Sequence, residues 1–434
     1  MATRNAQRKL LSICLRSKAQ TKYQYNSSRN FSVTRSSLQS YSSPLPDSYY
    51  NEEQLQMQAT IAKIIENDIN PFVDEWETKE EFPAHQVFKK LGNAGLLGID
   101  KSEEYGGLGL DFKYLAAVME ELGTIRCAGV PMAILVQMAM TCQALHRFGS
   151  DELKKEFLVP SISGDFVACV GVSEAGAGSD VANTQTRAVR KGDDLIINGQ
   201  KMWITNSLQA DWMCLLANTS DGNPYKNKSL ICVPMNSKGI TKQKIHKIGN
   251  NSSDTGIIFF EDVRVPAKNI IGEEGSGFFY QMLQFQEERM AGAVGVLKGI
   301  DAALSETIDY TRQRKAFGKS ILDNQYVYFR LCELASENES LRALTYKAID
   351  MFVDGQEVTR LASMAKLKAG RLAREVGDTC LQFWGGMGYT REAAISRFFR
   401  DARLLSIGGG ADEIMLEIIA KLMNISPPPP PKKK

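Results

Sequence analysis

Few side chains in this 434-residue sequence have the types and spacing of a self-sufficient catalytic centre. The histidines are His85, His146 and His246, and none has a second histidine at metal-ligand spacing. The eight cysteines form no Cys-x-x-Cys pair and mostly have apolar neighbours, which is typical of buried, reduced thiols. We therefore expect no metal site and no serine–histidine triad, so that chemistry rests on carboxylates, backbone groups or a bound cofactor.

A glycine-rich segment and a nearby aromatic strand could together form a binding site. Residues 172–180 follow a predicted strand and can expose backbone N–H groups to a flat or anionic ligand, although alone they favour a plain turn. Asn198-Gly199 predicts a hairpin turn, which residues 201–205 leave as a strand. Strict alternation then places Trp203 and Thr205 on one face, suited to an aromatic ring system with polar edges. A core tryptophan is the alternative.

The second feature is a pair of adjacent glutamates, Glu287 and Glu288, in a helical stretch. The positions three, four and seven residues after Glu288 are Ala291, Gly292 and Gly295, so its face has room for a ligand. Glu287 shares its face with larger apolar side chains. The alternative is that both are solvated carboxylates, the commoner fate of glutamate.

The elements that position these residues follow a helical, β, helical order. Residues 52–165 have helical apolar spacing, as in 112–122 and 132–148. From 166 to 272, short β-rich runs are separated by Asn-Gly, Asp-Gly and Lys-Gly pairs, and long helical patterns return from 276 to 423. The predicted fold is α+β, with an N-terminal helical domain (51–165), a middle β domain (166–275) and a C-terminal four-helix bundle (276–425).

The two ends differ in charge from the rest of the chain. No acidic residue precedes Asp47, and the Arg- and Ser-rich start predicts a mitochondrial transit peptide at 1–31, with a linker at 32–50 and a disordered basic tail as the alternative. If residues 1–31 are removed, the chain retains 45 basic and 50 acidic residues. The resulting negative net charge argues against a nucleic-acid partner. No apolar run approaches the roughly 20 residues that cross a bilayer, so no integral membrane segment is expected. Residues 426–434 form a proline- and lysine-rich tail.

Several segments, taken in order, resemble the signature segments of the acyl-CoA dehydrogenase family. They are residues 172–180, 201–206, 260–266, 314–319, 382–389 and 400–403. The resemblance covers residues 51–423, and agreement among several ordered segments is far more specific than any single one. It implies the family's helical–β–helical fold and FAD as the cofactor.

The resemblance also implies roles near the flavin ring. Val172 and Ser173 would meet the pyrimidine edge of the flavin, and Trp203 and Thr205 would flank its ring and N5. Ser179 would lie near the cofactor phosphates and the bound thioester.

A second set of residues resembles those that reach the FAD of a neighbouring subunit: Arg314, Phe317, Gln382 and Gly386. This implies a homo-oligomer, a dimer of dimers. Ala316 departs from the family pattern, because many members have a hydroxyl residue there, and this puts one cofactor hydrogen bond in doubt.

Many relatives carry their catalytic base after the Arg-Asp-Ala segment, at the position of Gly409 in this chain. Residues 286–292 instead resemble the segment in which isovaleryl- and long-chain-type members carry the base, immediately before an arginine. The resemblance therefore predicts Glu288 as the base, with Arg289 and Gly409 in substrate binding. The Gly409 N–H would stabilise the enolate oxygen together with a flavin ribityl hydroxyl, and burial should raise the pKa of Glu288 toward neutrality.

The implied reaction is α,β-dehydrogenation of an acyl-CoA thioester to the trans-2-enoyl-CoA. Glu288 would remove the α-proton, flavin N5 would take the β-hydride, and electrons would pass to electron-transferring flavoprotein in the mitochondrial matrix. Medium-to-long or branched acyl chains are expected, with residues 131–137 lining the pocket floor. An acyl-CoA oxidase and a catalytically silent acyl-CoA-binding sensor or assembly partner are the alternatives.

Overall fold

The computed structural model describes residues 41–43 and 45–427. The predicted transit peptide and nearly all of the proline- and lysine-rich tail lie outside these residues. Helices come first, a sheet follows, and helices resume at Gly277, so the predicted helical, β, helical order is confirmed. Within the described range, no helix is long and apolar enough to span a membrane.

The N-terminal part consists of short and medium helices. They are α1 Leu45–Tyr49, α2 Glu52–Ile64, α3 Val73–Lys79, α4 Ala84–Asn93, α5 Phe112–Leu122, α6 Gly129–Leu135, α7 Cys142–Phe148, α8 Asp151–Leu153 and α9 Val159–Ile162. A π-helical turn, Val136–Thr141, joins α6 to α7 in one continuous helix. The Asp111 side chain accepts a hydrogen bond from the Lys113 N–H at 2.8 Å, which explains why α5 begins there.

The middle of the chain forms one mainly antiparallel sheet. Its strands are β1 Ala168–Gly171, β2 Arg187–Lys191, β3 Asp194–Thr205, β4 Trp212–Asn218, β5 Lys228–Pro234, β6 Ile240–Lys244, β7 Thr255–Pro266 and β8 Ile270–Ile271. Their order is β6-β7-β3-β2-β4-β5-β8, and β1 pairs in parallel with β4. Alternate side chains of β3 and β7, such as Leu195 and Val265, face the sheet's own core.

The hairpin turn predicted at Asn198-Gly199 is wrong, because both residues lie inside the continuous strand β3. A β-bulge marks this point in the pairing of β3 with β7. Gly199 has a φ of 143°, and a Cβ on it would lie 2.7 Å from the Cα of Thr186, so this glycine serves a close backbone approach. The chain turns instead at Gly192 (φ 64°), between β2 and β3.

The C-terminal part consists mainly of long helices. They are α10 Gly277–Gly295, α11 Leu297–Gln313, α12 Gln325–Val353, α13 Thr359–Trp384, α14 Ala394–Ala402 and α15 Asp412–Leu422. Helices α10 to α13 pack against one another as a four-helix bundle. A short hairpin, β9 Lys315–Ala316 and β10 Lys319–Ser320, follows α11.

One hydrophobic core joins the helices before and after the sheet. It includes Met119 of α5, Ala291 of α10 and Ala369 of α13. The approach of α5 to α10 is close, since a Cβ on Gly123 would lie 2.7 Å from the carbonyl oxygen of Gly295. Helix α10, which carries the two glutamates, therefore lies in the interior of the molecule.

A buried ion cluster fixes the helices around α10. The fully buried Arg342 of α12 pairs with Glu120 of α5 and Asp301 of α11. Glu120 also accepts hydrogen bonds from the hydroxyls of Tyr50 and Tyr346, at 2.9 and 2.8 Å. Loss of one partner would leave a buried charge uncompensated, so α5, α11 and α12 are held in one arrangement.

Candidate active site

Glu288 on α10 is a buried carboxyl group with an unsatisfied oxygen. Only 7% of the residue is exposed, and its Oε1 atom has no hydrogen-bond partner in the part of the chain that the structure describes. Burial raises the pKa of this carboxyl to about 8, an effect that Arg289 opposes and the charge of Glu287 reinforces. Such a group can exchange a proton with a ligand near neutral pH.

The neighbouring Glu287 has a different environment. Its Oε1 atom pairs with Arg147, and its Oε2 atom accepts a hydrogen bond from Gln143 Nε2 at 2.7 Å. Both partners lie on α7, so Glu287 ties α10 to the N-terminal helices. The interpretation of both glutamates as solvated carboxylates is wrong, because their exposed fractions are 3% for Glu287 and 7% for Glu288.

A largely apolar cavity of about 240 Å³ begins one helical turn beyond Glu288, which is not itself among the lining residues. Ala291 and Gly292, one turn further along α10, line it together with Leu405, whose Cδ1 would lie 3.8 Å from a Cβ on Gly292. The predicted floor segment contributes Pro131 and Met132. The free carboxyl and the cavity therefore share one face of α10.

The loop of residues 408–410 approaches the same region. Gly409 has a left-handed φ of 63°, and a Cβ on it would meet nothing within 4 Å. The ammonium group of Lys366, on α13, donates a hydrogen bond to the carbonyl oxygen of Gly410. Burial lowers the pKa of Lys366 to about 8, with Asp412 opposing the shift and Arg289 adding to it. Lys366 thus holds this loop and lies near enough to Arg289, the residue after Glu288, for the two charges to interact.

Sequence reasoning did not single out Lys366. Its signal is a lysine on an otherwise apolar helix face, between the buried Ala362 and Ala369. Only 2% of Lys366 is exposed, which is unusual for a lysine unless it has a specific partner.

A second lysine joins the glycine-rich segment to the aromatic strand. The fully buried Lys201 donates hydrogen bonds to the carbonyl oxygen of Val172 at 2.9 Å and to Glu174 Oε1 at 2.8 Å. The N–H of Met202 donates to the carbonyl oxygen of Ser173 at 2.9 Å. The structure therefore brings the 172–180 and 201–205 segments together, with Val172, Ser173 and Thr205 half-buried.

Trp203 does not obey the predicted strict alternation. The register of β3 against β7 shifts between Lys201 and Ile204, and both of these residues are buried. Trp203 lies in the resulting bulge with a left-handed φ of 62°, and 51% of it is exposed. The alternative of a core tryptophan is therefore also wrong, because the extra residue of the bulge turns the indole outward.

The residues predicted to reach a neighbouring subunit's cofactor lie at the ends of two helices. Tyr310, one turn before Arg314, stacks on Trp384 at 4.0 Å between ring centroids, which places the β9–β10 hairpin near the end of α13. All four residues of this set are exposed: Arg314, Phe317, Gln382 and Gly386. In the described chain, no hydrogen bond connects them to the 172–205 segments. Ser179 is also exposed.

Comparison with known families accounts for this arrangement. The N-terminal, middle and C-terminal domains of acyl-CoA dehydrogenases match residues 51–165, 169–263 and 275–423. The chain belongs to the acyl-CoA dehydrogenase family. It is therefore an oxidoreductase with the three-part fold that the resemblance implied.

Individual acyl-CoA dehydrogenases are similar over most of their length. The mitochondrial long-chain specific enzyme of Sus scrofa is 35% identical over 375 residues, 86% of each chain. The mitochondrial short-chain specific enzyme of Homo sapiens is 35% identical over 362 residues, 83% of this chain and 87% of the relative. A Bacillus subtilis protein named a probable acyl-CoA dehydrogenase is 34% identical over 372 residues, 85% and 97% of the two chains. The acyl-chain length named for these relatives therefore differs from one to another, and both mitochondrial and bacterial proteins are among them.

Solved structures agree with the fold. An acyl-CoA dehydrogenase from Geobacillus kaustophilus superimposes with a TM-score of 0.84 at 34% identity, over 87% of this chain and 99% of the other. A chain from a study of the electron transferring flavoprotein of Acidaminococcus fermentans gives 0.82 at 30% identity, with 86% and 98% covered. A Mycobacterium smegmatis glutaryl-CoA dehydrogenase in complex with FADH2 gives 0.82 at 27% identity, with 88% and 97% covered.

Members of the family are FAD-dependent, and the residues of this acyl-CoA dehydrogenase fit the cofactor. The half-exposed indole of Trp203 offers a flat apolar surface that an aromatic ring system would cover. The N–H groups of Gly176 and Gly178 donate to no acceptor in the described chain, and a Cβ on either would meet nothing within 4 Å. This loop can therefore offer backbone donors to an anionic group.

Lys201→Met is expected to reduce FAD binding, because it frees the carbonyl of Val172 and removes the positive charge that compensates the buried Glu174, which in the described chain keeps only the N–H groups of Gln185 and Thr186 as partners. We expect at least a tenfold higher dissociation constant for FAD, measured by flavin fluorescence on reconstitution of the apoprotein. Lys242→Met is the matched control, since this half-buried lysine donates instead to the carbonyl oxygens of Leu208 and Ala210. Equal losses in both variants would contradict the link between the two segments.

Proposed function

We propose that this acyl-CoA dehydrogenase uses Glu288 as the base that removes the α-proton of the acyl-CoA thioester. The observation that carries the proposal is the free, buried carboxyl oxygen of Glu288 on a helix face whose next turn, at Ala291 and Gly292, lines an apolar cavity. Glu287 is the rival, but both of its oxygens have partners on α7. Bound FAD would supply the acceptor for the β-hydride.

The surroundings of Glu288 suit proton abstraction. A buried carboxylate without hydrogen-bond partners is a stronger base than a solvated one. Burial accordingly raises the pKa of Glu288 to about 8. A general base works best with a pKa near the operating pH. Arg289 opposes the shift, so part of the population is ionised at neutral pH.

Gly409 is proposed to donate its N–H to the thioester oxygen on which negative charge develops. Its open, left-handed backbone has no side chain to occupy the site. The hydrogen bond from Lys366 to the carbonyl of Gly410 holds the peptide unit between residues 410 and 411 and so limits rotation of the loop. Arg289 is proposed to contribute to substrate binding from the residue next to the base.

Glu288→Gln is expected to lower the rate of flavin reduction by acyl-CoA by about 10²–10⁴-fold while preserving ligand binding, because it removes the proton acceptor and retains the shape. Anaerobic stopped-flow spectroscopy of the flavin measures this rate. Glu287→Gln is the matched control and should keep reduction within about tenfold of the wild type. Normal bleaching in Glu288→Gln would refute the assignment of the base.

The pH dependence follows from the raised pKa of Glu288. The base must be ionised, so kcat/KM is expected to rise as the pH rises through about 8 and to level off above it. Because the charge of Glu287 helps to raise this pKa, Glu287→Gln should move the midpoint to lower pH. Reduction rates at limiting substrate from pH 6 to 10 test both statements, and a flat profile would contradict them.

We further propose that the protein is a homo-oligomer whose copies complete one another's FAD sites. Phe317 is fully exposed on a left-handed backbone (φ 53°), and exposed apolar groups of this size are typical of interfaces. Arg314, Gln382 and Gly386 are exposed near it, away from the flavin-ring segments. A dimer of dimers is the assembly that the family resemblance implies.

Phe317→Asp is expected to weaken both self-association and FAD retention, because it places a charge in the proposed interface. Light scattering after gel filtration and the flavin-to-protein absorbance ratio measure the two properties. The control is Tyr225→Asp, which alters another exposed aromatic residue, on the β4–β5 loop. A variant that keeps the oligomer mass and full FAD content would contradict the proposed role of Phe317.

Electron-transferring flavoprotein is the proposed electron acceptor, and the mitochondrial matrix the proposed compartment. The acid-poor start of the sequence and the mitochondrial relatives support the compartment. Determination of the amino terminus of the protein isolated from its own cells tests this proposal, with a start near residue 32 expected. Medium-to-long or branched acyl-CoAs are the proposed substrates, as the apolar cavity supports.

A further inference from the structure

The cavity beside Glu288 continues far along the same helix face. Its lining positions on this face are Ala291, Gly292, Gly295, Gly299, Ala302 and Glu306. Because a helix has 3.6 residues per turn, these spacings keep every position on the face of Glu288 across the junction of α10 and α11. Apart from Val296 at the helix junction, this wall consists of glycine and alanine until it reaches Glu306.

The length of this wall bears on the length of the acyl chain. From Glu288 to Gly299 a helix advances about 16 Å, at roughly 1.5 Å per residue. An extended alkyl chain advances about 1.25 Å per carbon at ordinary bond lengths and angles, so roughly 13 carbons span that distance. Only a long acyl chain would reach beyond Gly299.

The far end of the cavity is open and charged. Ala302, Glu306 and Arg126 all line it and are exposed to solvent. The backbone of Arg126 is fixed, since its N–H donates to Asn70 and its carbonyl accepts from Arg397, both at 2.9 Å. In the described chain, no hydrogen bond or close ion pair joins the side chains of Arg126 and Glu306, although the positive charges of Arg126 and Arg397 are near enough to favour ionisation of Glu306.

We propose that Arg126 and Glu306 form a subsite for a hydroxyl group at the distal end of a long acyl chain. This inference rests on the proposed function, because it takes the cavity beside Glu288 as the acyl site. The substrate class is therefore long-chain acyl-CoA with a terminal hydroxyl.

The chemistry of the two side chains selects a hydroxyl. A plain methyl end would gain nothing from two charged groups, which would lose hydration beside it. A hydroxyl can accept a hydrogen bond from the Arg126 guanidinium and donate one to the Glu306 carboxylate. A carboxylate end could pair with Arg126 only, and the charge of Glu306 would repel it.

Glu306 lies 18 residues after Glu288, about 27 Å along the helix, a distance that roughly 22 carbons span. The test therefore compares three substrates of equal length: docosanoyl-CoA and its ω-hydroxy and ω-carboxy derivatives. We expect kcat/KM for the ω-hydroxy compound to exceed that for the unmodified chain by roughly fivefold or more, since hydrogen bonds to charged groups are the stronger ones. The ω-carboxy compound should not share this advantage. Equal values for the hydroxy and unmodified chains would overturn the inference.

Three variants test whether the preference for the ω-hydroxy chain depends on Arg126 and Glu306. Arg126→Gln should reduce the preference for the ω-hydroxy chain toward one, and Glu306→Gln should raise the relative kcat/KM of the ω-carboxy chain. Arg264→Gln is the control, an exposed arginine on β7 that should keep the wild-type ratios. Unchanged ratios in Arg126→Gln, or the same change in Arg264→Gln, would refute the subsite.

The proposed function can be tested independently of the distal subsite. Flavin reduction by octanoyl-CoA, whose chain ends well before Gly299, reports on Glu288 without the distal subsite. If octanoyl-CoA reduces the flavin and the three long chains are indistinguishable, only the distal subsite is refuted. If none of the acyl-CoAs reduces it, the proposed function itself is refuted.

Discussion

The constraint on which the structure depends is that a carboxyl group is buried without a partner on α10. Burial of an ionised carboxylate is costly, and the raised pKa of Glu288 shows that the protein meets this cost through protonation. A helix that carries such a group must be held against rotation toward solvent. The ion pair of the adjacent Glu287 with Arg147 provides this restraint, because it anchors α10 to α7.

The proposed position of the base on α10 also accounts for the sequence of the loop of residues 408–410. Where many relatives are expected to carry a glutamate, this chain has Gly409, and open space surrounds it. The loop therefore offers backbone rather than a side chain, and Lys366 holds it from α13. The proposed base and the proposed oxyanion donor come from separate elements, and the shared helical core fixes the position of one relative to the other.

The cofactor residues divide into two groups with different physical support. Lys201 and Glu174 bind the flavin-ring segments together inside the sheet, where their positions are fixed within one chain. Phe317 and its exposed neighbours have no such enclosure. A single chain thus presents one proposed half of the cofactor site inside the sheet and the other on its surface, which is the arrangement expected if copies of the chain share their sites.

The sequence by itself determined the order of the elements and the family. Its local signals were sufficient for α5, whose bounds coincide with residues 112–122, because apolar periodicity and the Asp111 cap act within a few residues. The local signals gave a wrong prediction at Asn198-Gly199, where a dipeptide typical of hairpin turns instead forms a β-bulge. Pairing with β7 and the close approach of Thr186 decided that conformation, and neither is visible in the local sequence.

The choice between the two glutamates needed the tertiary structure. Spacing on the helix gave Glu288 the smaller neighbours and left Glu287 as a rival. The partners that occupy Glu287, Gln143 and Arg147, lie 144 and 140 residues away in the chain. Only the folded packing of α7 against α10 pairs one carboxylate and leaves the other free, because ion pairs depend on distance in space and not on separation in sequence.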